Sequence, residues 1–141
     1  MQFHSREWLE AYKEKMNSDP EYLKKASNFS IKWCNVITDC PGGVDRKETW
    51  IIEKGKCVSV TTVEKPAPSD FRTEPFNSKE FDYRNIASYE IMAKLFRGQM
   101  STLQAFRNPN YKVDGPKAKL LLIMKQLNAW NDIAKKIPTE I

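Results

Sequence analysis

The chain has 141 residues, 40% hydrophobic and 29% charged. That balance suits a single globular domain spanning 1–141, able to bury about two thirds of its unfolded surface without disulfide or metal staples. Its longest apolar run, Leu120 to Met124, is five residues against the ~18 a bilayer span needs. The start Met1-Gln2-Phe3-His4-Ser5 lacks the apolar stretch of a signal peptide, so a cytoplasmic location is expected. The net charge of +5 is uneven. Eight Lys/Arg face three Asp/Glu from Arg97 onward, whereas residues 1–96 hold fifteen of each.

Ser5 can cap a helix whose apolar stripe is Trp8, Leu9, Tyr12 and Met16. Asp19 as cap and Pro20 at the first helical position restart it, with Tyr22 and Leu23 inward. Residues 28–38 switch to period two: Phe29, Ile31, Trp33 and Ile37 share one face, Lys32 and Thr38 the other, as in a half-buried strand. Pro41-Gly42-Gly43 turns the chain into a second strand, 46–52, carrying Trp50 and Ile52 inward. Glu53-Lys54-Gly55-Lys56 is a hairpin turn into a third strand, 57–63, with Val58 and Val60 on one face. Together these make an antiparallel meander.

Residues 65–80 hold Pro66, Pro68 and Pro75 and form an irregular crossing, of a length common among lids and binding loops. A strand over 81–86 leads to a helix capped by Ser88, running through Phe96 and closed by Gly98. Ser101 with Gln104 is a capping box for a short helix through Arg107. After a last short strand, 111–113, Asp114-Gly115-Pro116 opens a long final helix ending near Lys136. That helix begins too apolar for one wall, because five apolar residues in succession cover more than half its circumference. A bound apolar molecule is one candidate to take up the extra face.

Catalytic signals are thin. The only histidine, His4, sits in a segment expected to fray, which argues against a triad or a histidine-ligated metal. Gly42-Gly43 lacks the Lys-Ser/Thr of a phosphate-binding loop, and the carboxylates are scattered among lysines. Cys34, Cys40 and Cys57 have neither disulfide nor zinc spacing; Cys40, beside the Pro-Gly-Gly turn, is the one expected to be exposed and reactive. No metal or cofactor is therefore expected. No nucleic-acid-binding pattern appears, and the final helix carries Lys without Arg, which argues against base readout.

The stretch 86–130 resembles the lipid-binding domain of the sterol carrier protein 2 family. The resemblance rests on Leu95-Phe96-Arg97-Gly98 closing a helix, Ala105-Phe106 on the next, and Tyr111-Lys112-Val113-Asp114-Gly115 before a long apolar helix. Pro109-Asn110 and Pro116 depart from the family pattern but keep turn chemistry. The meander and N-terminal helix follow the family's order.

The resemblance implies an α+β fold, a five-stranded, mostly antiparallel sheet covered by helices, with an apolar tunnel between sheet and C-terminal helix. Carried over by position, the tunnel walls would include Trp33, Trp50, Phe96, Leu103, Phe106, Leu120, Ile123, Met124, Leu127 and Trp130. Lys117, Lys119 and Lys125 could hold an anionic headgroup at its mouth. The implied function is non-enzymatic binding, with intracellular transfer, of a fatty acid, acyl-CoA, phospholipid or sterol-like lipid. Burying ~10 methylenes at ~0.8 kcal/mol each supplies ~8 kcal/mol before ordering costs, which needs no catalytic residue. The basic excess in this region adds transient contact with an anionic membrane surface to the expected partners. The alternative is the same fold with a filled core, acting as a protein-interaction or homodimerisation module.

Overall fold

The computed structural model describes residues 1–141. The capping signals act as read. Ser5 accepts from the Trp8 amide to start α1 (Arg6–Ser18), and Asp19 accepts from the Tyr22 amide to start α2 (Pro20–Ala26). Three strands follow, β1 (Ile31–Cys40), β2 (Val44–Glu53) and β3 (Lys56–Pro66). The crossing segment contains one 3-10 turn, Asp70–Arg72, and leads to β4 (Tyr83–Ser88).

Ser88 caps α3 (Tyr89–Phe96), which ends in a Schellman motif. Gly98 is at φ +72°, and the Gln99 and Gly98 amides reach the Lys94 and Leu95 carbonyls at 2.9 and 3.2 Å. The Ser101–Gln104 capping box opens α4 (Thr102–Arg107). The chain ends with β5 (Lys112–Asp114), α5 (Lys117–Leu122) and α6 (Met124–Ala134).

The five strands form one sheet in the order β3-β2-β1-β4-β5. The short turns between β1, β2 and β3 make those pairs antiparallel, because a parallel neighbour needs a long crossover. The segment after β3 supplies such a crossover: β4 pairs parallel with β1, placing Trp33 opposite Tyr83 and Asn35 opposite Asn85. β5 pairs antiparallel with β4. The sheet is therefore mixed, with one parallel pair among otherwise antiparallel neighbours.

The chain divides into two compact units. The first comprises Met1–Lys32, Trp50–Thr61 and Pro116–Ile141. It is organised on aromatic edge-to-face contacts: Trp8 on Tyr12 at 5.2 Å, Tyr12 on Trp50 at 5.1 Å and Trp50 on Trp130 at 5.3 Å between ring centroids. Tyr12 Oη also donates to the Trp130 carbonyl, and Tyr22 Oη to the Gly55 carbonyl at 2.7 Å. Gly55, at φ +84°, is required twice over: a Cβ there would lie 2.6 Å from the Ala26 carbonyl oxygen. Lys136 Nζ lies 2.6 Å from Asp19 Oδ2, and this bond holds the Asp19 carboxyl below its ordinary range.

The N-terminus does not fray. Gln2 bridges to Glu140, and His4, 5% exposed, packs against Phe3 and Trp8. The capped helix start places Phe3 and Trp8 in the core, and the histidine goes with them.

The second unit comprises Trp33–Thr49 and Thr62–Gly115. Here β1 is buried on both faces, Thr38 included, which corrects the half-buried strand expected from its alternation. On the face of Cys34 and Val36, the crossing segment delivers Phe71, Phe76 and Phe81, which with Ile86 close an apolar cluster.

The crossing segment is clamped there. Asp45, wholly buried, accepts from the Asp39 amide (3.0 Å), the Ser69 amide (2.9 Å) and hydroxyl (2.7 Å), and twice from Arg72 (both 2.8 Å). The Arg72 guanidinium beside it holds the Asp45 carboxyl well below the usual carboxylate range. Arg84 adds bonds to Asp114 Oδ2 (2.7 Å) and to the Glu74 carbonyl (2.6 Å). The prolines of 65–80 thus belong to a fixed cover over one sheet face.

Two further expectations change. Val58 is 52% exposed and its neighbour Cys57 buried, so β3 turns the opposite face inward from the one its valines suggested. The single long C-terminal helix is two helices, interrupted at Ile123 (φ −106°, ψ 14°) with no Gly or Pro between 117 and 134 to cause it.

Candidate functional site

The break at Ile123 decides what happens to the apolar run. α5 starts after Pro116, which offers no side-chain cap, and buries only Leu120. α6 keeps a regular stripe of Leu127, Trp130 and Ile133, at steps of three, buried with Ala129. Ile123 and Met124 are half-buried at the junction. Leu121 and Leu122 stand in water at 64% and 82% exposure. Lys117, Lys119 and Lys125 around them are exposed, and no acidic residue occurs between Asp114 and Asp132. The surplus apolar face predicted at this helix is therefore real, and its two leucines have no cover from the chain.

The other candidate residues are distributed by unit. In the first, Trp50, Leu120, Leu127 and Trp130 are buried, with Trp50 and Trp130 in direct ring contact. In the second, Trp33 is buried and stacked on Tyr83 (5.1 Å, 27° between planes). Phe96 is half-buried, Leu103 is 39% exposed, and Phe106 meets Tyr111 at 6.0 Å.

The sequence reading missed a polar group on the sheet. Trp33 Nε1 donates to Asn85 Oδ1 at 2.7 Å, and Asn35 Nδ2 donates to Glu48 Oε1 at 3.2 Å. All four residues are buried. Their signal was present: Asn35 and Asn85 interrupt apolar strands in phase with inward aromatics, where Asn is normally depleted.

Neither thiol nor metal chemistry is assembled. Cys40 is buried rather than exposed, since its side chain turns inward at the end of β1. Burial pushes the thiols of Cys34, Cys40 and Cys57 up to about 11, away from the reactive thiolate. No group of three His, Cys, Asp or Glu is placed to hold a metal ion. No helix is long and apolar enough to cross a membrane.

The sequence matches no protein-family model and no curated protein. Solved structures do match. A solution structure from Thermus thermophilus, described as possibly a sterol carrier protein, superposes with a TM-score of 0.77 at 19% identity, over 99% of this chain and 92% of the other. A crystal structure of sterol carrier protein 2 gives 0.76 at 19% identity, over 95% and 98%. Sterol carrier protein 2 like 2 from Aedes aegypti gives 0.50 at 14% identity, over 86% and 93%. The α+β fold of this chain is that of sterol carrier protein 2 domains, as the resemblance over 86–130 implied.

Proposed function

We propose that the protein is a non-enzymatic carrier that binds an apolar or amphiphilic lipid and exchanges it at anionic membranes. The fold likeness supports lipid binding in general. One observation carries the membrane step: Leu121 and Leu122, at 64% and 82% exposure, lie among Lys117, Lys119 and Lys125 with no acid nearby in sequence.

Each leucine gains ~1.5–3 kcal/mol on leaving water, and each lysine ~1 kcal/mol close to an anionic surface. The total is roughly 6–9 kcal/mol before orientation costs, which suits reversible visits rather than anchoring. Ile123 and Met124, half-buried at the helix junction, are the residues proposed to meet the guest's apolar chain. The lysines then serve the bilayer first.

The exposed leucines also favour the alternative of a homodimer. A two-fold interface centred on them would bring the lysines of both copies together, whereas an anionic bilayer complements them.

Flotation with phosphatidylserine-containing and pure phosphatidylcholine vesicles tests the reading. Wild type should float with the anionic vesicles and lose that behaviour in high salt. Leu122→Asp and the pair Lys117→Glu, Lys119→Glu should each stay unbound while remaining folded. Equal flotation by wild type and both variants, or concentration-dependent dimerisation abolished by Leu122→Asp without vesicle binding, would overturn the membrane step.

A further inference from the structure

Glu48, Asn35 and Asn85 form a polar row across the neighbouring strands β2, β1 and β4, all of it buried. Asn35 lies opposite Asn85 in the β1–β4 register and donates to Glu48 Oε1. Trp33, held by its stack on Tyr83, donates from Nε1 to Asn85 Oδ1 at 2.7 Å. An indole N–H can only give a proton, so this bond fixes which end of the Asn85 amide is oxygen. The other end, Nδ2, carries two protons inside the fold and has no partner.

Buried donors are paired in almost every folded protein, so an orphan at a wholly buried side chain calls for an acceptor. If Asn85 served only to receive the Trp33 proton, half of its amide would be pure loss; a group with an acceptor alone would do as well.

We infer that Asn85 is a guest-binding residue, whose Nδ2 donates to a neutral oxygen, hydroxyl or carbonyl, at the polar end of a mainly apolar ligand. The row itself holds two amides and a carboxyl, and the buried Arg46 two residues along β2 from Glu48 is already paired with Glu64 at 2.9 Å, so the row suits a neutral head. On this inference the guest's polar end is received by the buried amides of this row. This inference rests on the carrier reading and sharpens it by naming the chemistry of the guest.

The test compares hexadecanol with hexadecane in displacement of a fluorescent alkyl probe, on wild type and Asn85→Leu. Side-chain amide NMR of Asn85 in wild type runs beside it. Wild type should prefer the alcohol by about tenfold, the scale of one buried hydrogen bond. Asn85→Leu should lose that preference and bind the two probes equally, and the wild-type Asn85 amide protons should shift with the alcohol only. If the leucine variant does not fold, the wild-type amide shift decides the matter alone.

Equal binding of the two probes by wild type, with no Asn85 shift, would mean that an interior water satisfies Nδ2. That result would overturn the inference while leaving the carrier reading in place. Binding of neither probe would overturn both.

Discussion

Replacing Asp45 by Asn tests whether the crossing segment is held by charge. The native carboxylate is fully buried and accepts from the Asp39 amide, both donors of Ser69 and two nitrogens of Arg72. An amide in its place turns an NH2 toward donors and leaves Arg72 only its bond to Asp39 Oδ1 at 2.8 Å as an ion pair. Removing one partner of a buried ion pair costs about 3–5 kcal/mol; Arg72 is 30% exposed and can rehydrate, so about 3 kcal/mol is expected here. For a chain of this size that is about 10 °C in Tm.

The pH profile follows from the sign of the shift. The folded-state pKa of Asp45 lies below its ordinary 3.8, so its contribution is complete above that pH and is lost as pH falls through and below it. Urea unfolding of both proteins from neutral pH downward should show a gap of about 3 kcal/mol that closes under acid, where both carry a neutral side chain. A constant gap at all pH values, or none at pH 7, would refute the clamp.

Gly115→Ala should destabilise by at least about 2 kcal/mol in the same assay, because Gly115 is at φ +123° and a Cβ would lie 2.5 Å from Tyr83 Cδ1 and 2.6 Å from the Asp82 carbonyl oxygen. Native protein at pH 8 should resist thiol reagents at Cys34, Cys40 and Cys57, whose thiols burial pushes up to about 11, and should react at all three on unfolding. Fast labelling of Cys40 in the folded state would contradict its inward placement. Met124→Lys should abolish uptake of a fluorescent alkyl probe without loss of fold, and uptake equal to wild type would remove Met124 from the guest's path.

What was legible in the sequence was local. Ser5, Asp19-Pro20, Ser88 and the Ser101–Gln104 box each act over three or four residues, and each starts the helix it signalled. The meander of β1, β2 and β3 followed from turn spacing and the five-stranded sheet from family resemblance, whereas the parallel pairing of β4 with β1 was not read. The second covered face of β1 was not legible, since its cover comes from Phe71, Phe76 and Phe81 in a proline-rich segment without periodicity.

The helix break at Ile123 also escaped, because no Gly or Pro marks it and a run of Leu120 to Met124 reads as helix throughout. At the candidate site, the surplus apolar face was visible as too many consecutive leucines. Which leucines would stand in water depended on the helix phase after the break. The Glu48–Asn35–Asn85 row needed the register between strands some fifty residues apart, about which a period-two pattern says nothing.

The central claim is that this fold holds a lipid. Native mass spectrometry of the purified, folded protein, with saturation binding of fluorescent alkyl probes bearing neutral and anionic heads on the same sample, tests it most directly. The account predicts a retained or added lipid mass and saturable uptake. A folded protein that shows neither would contradict it.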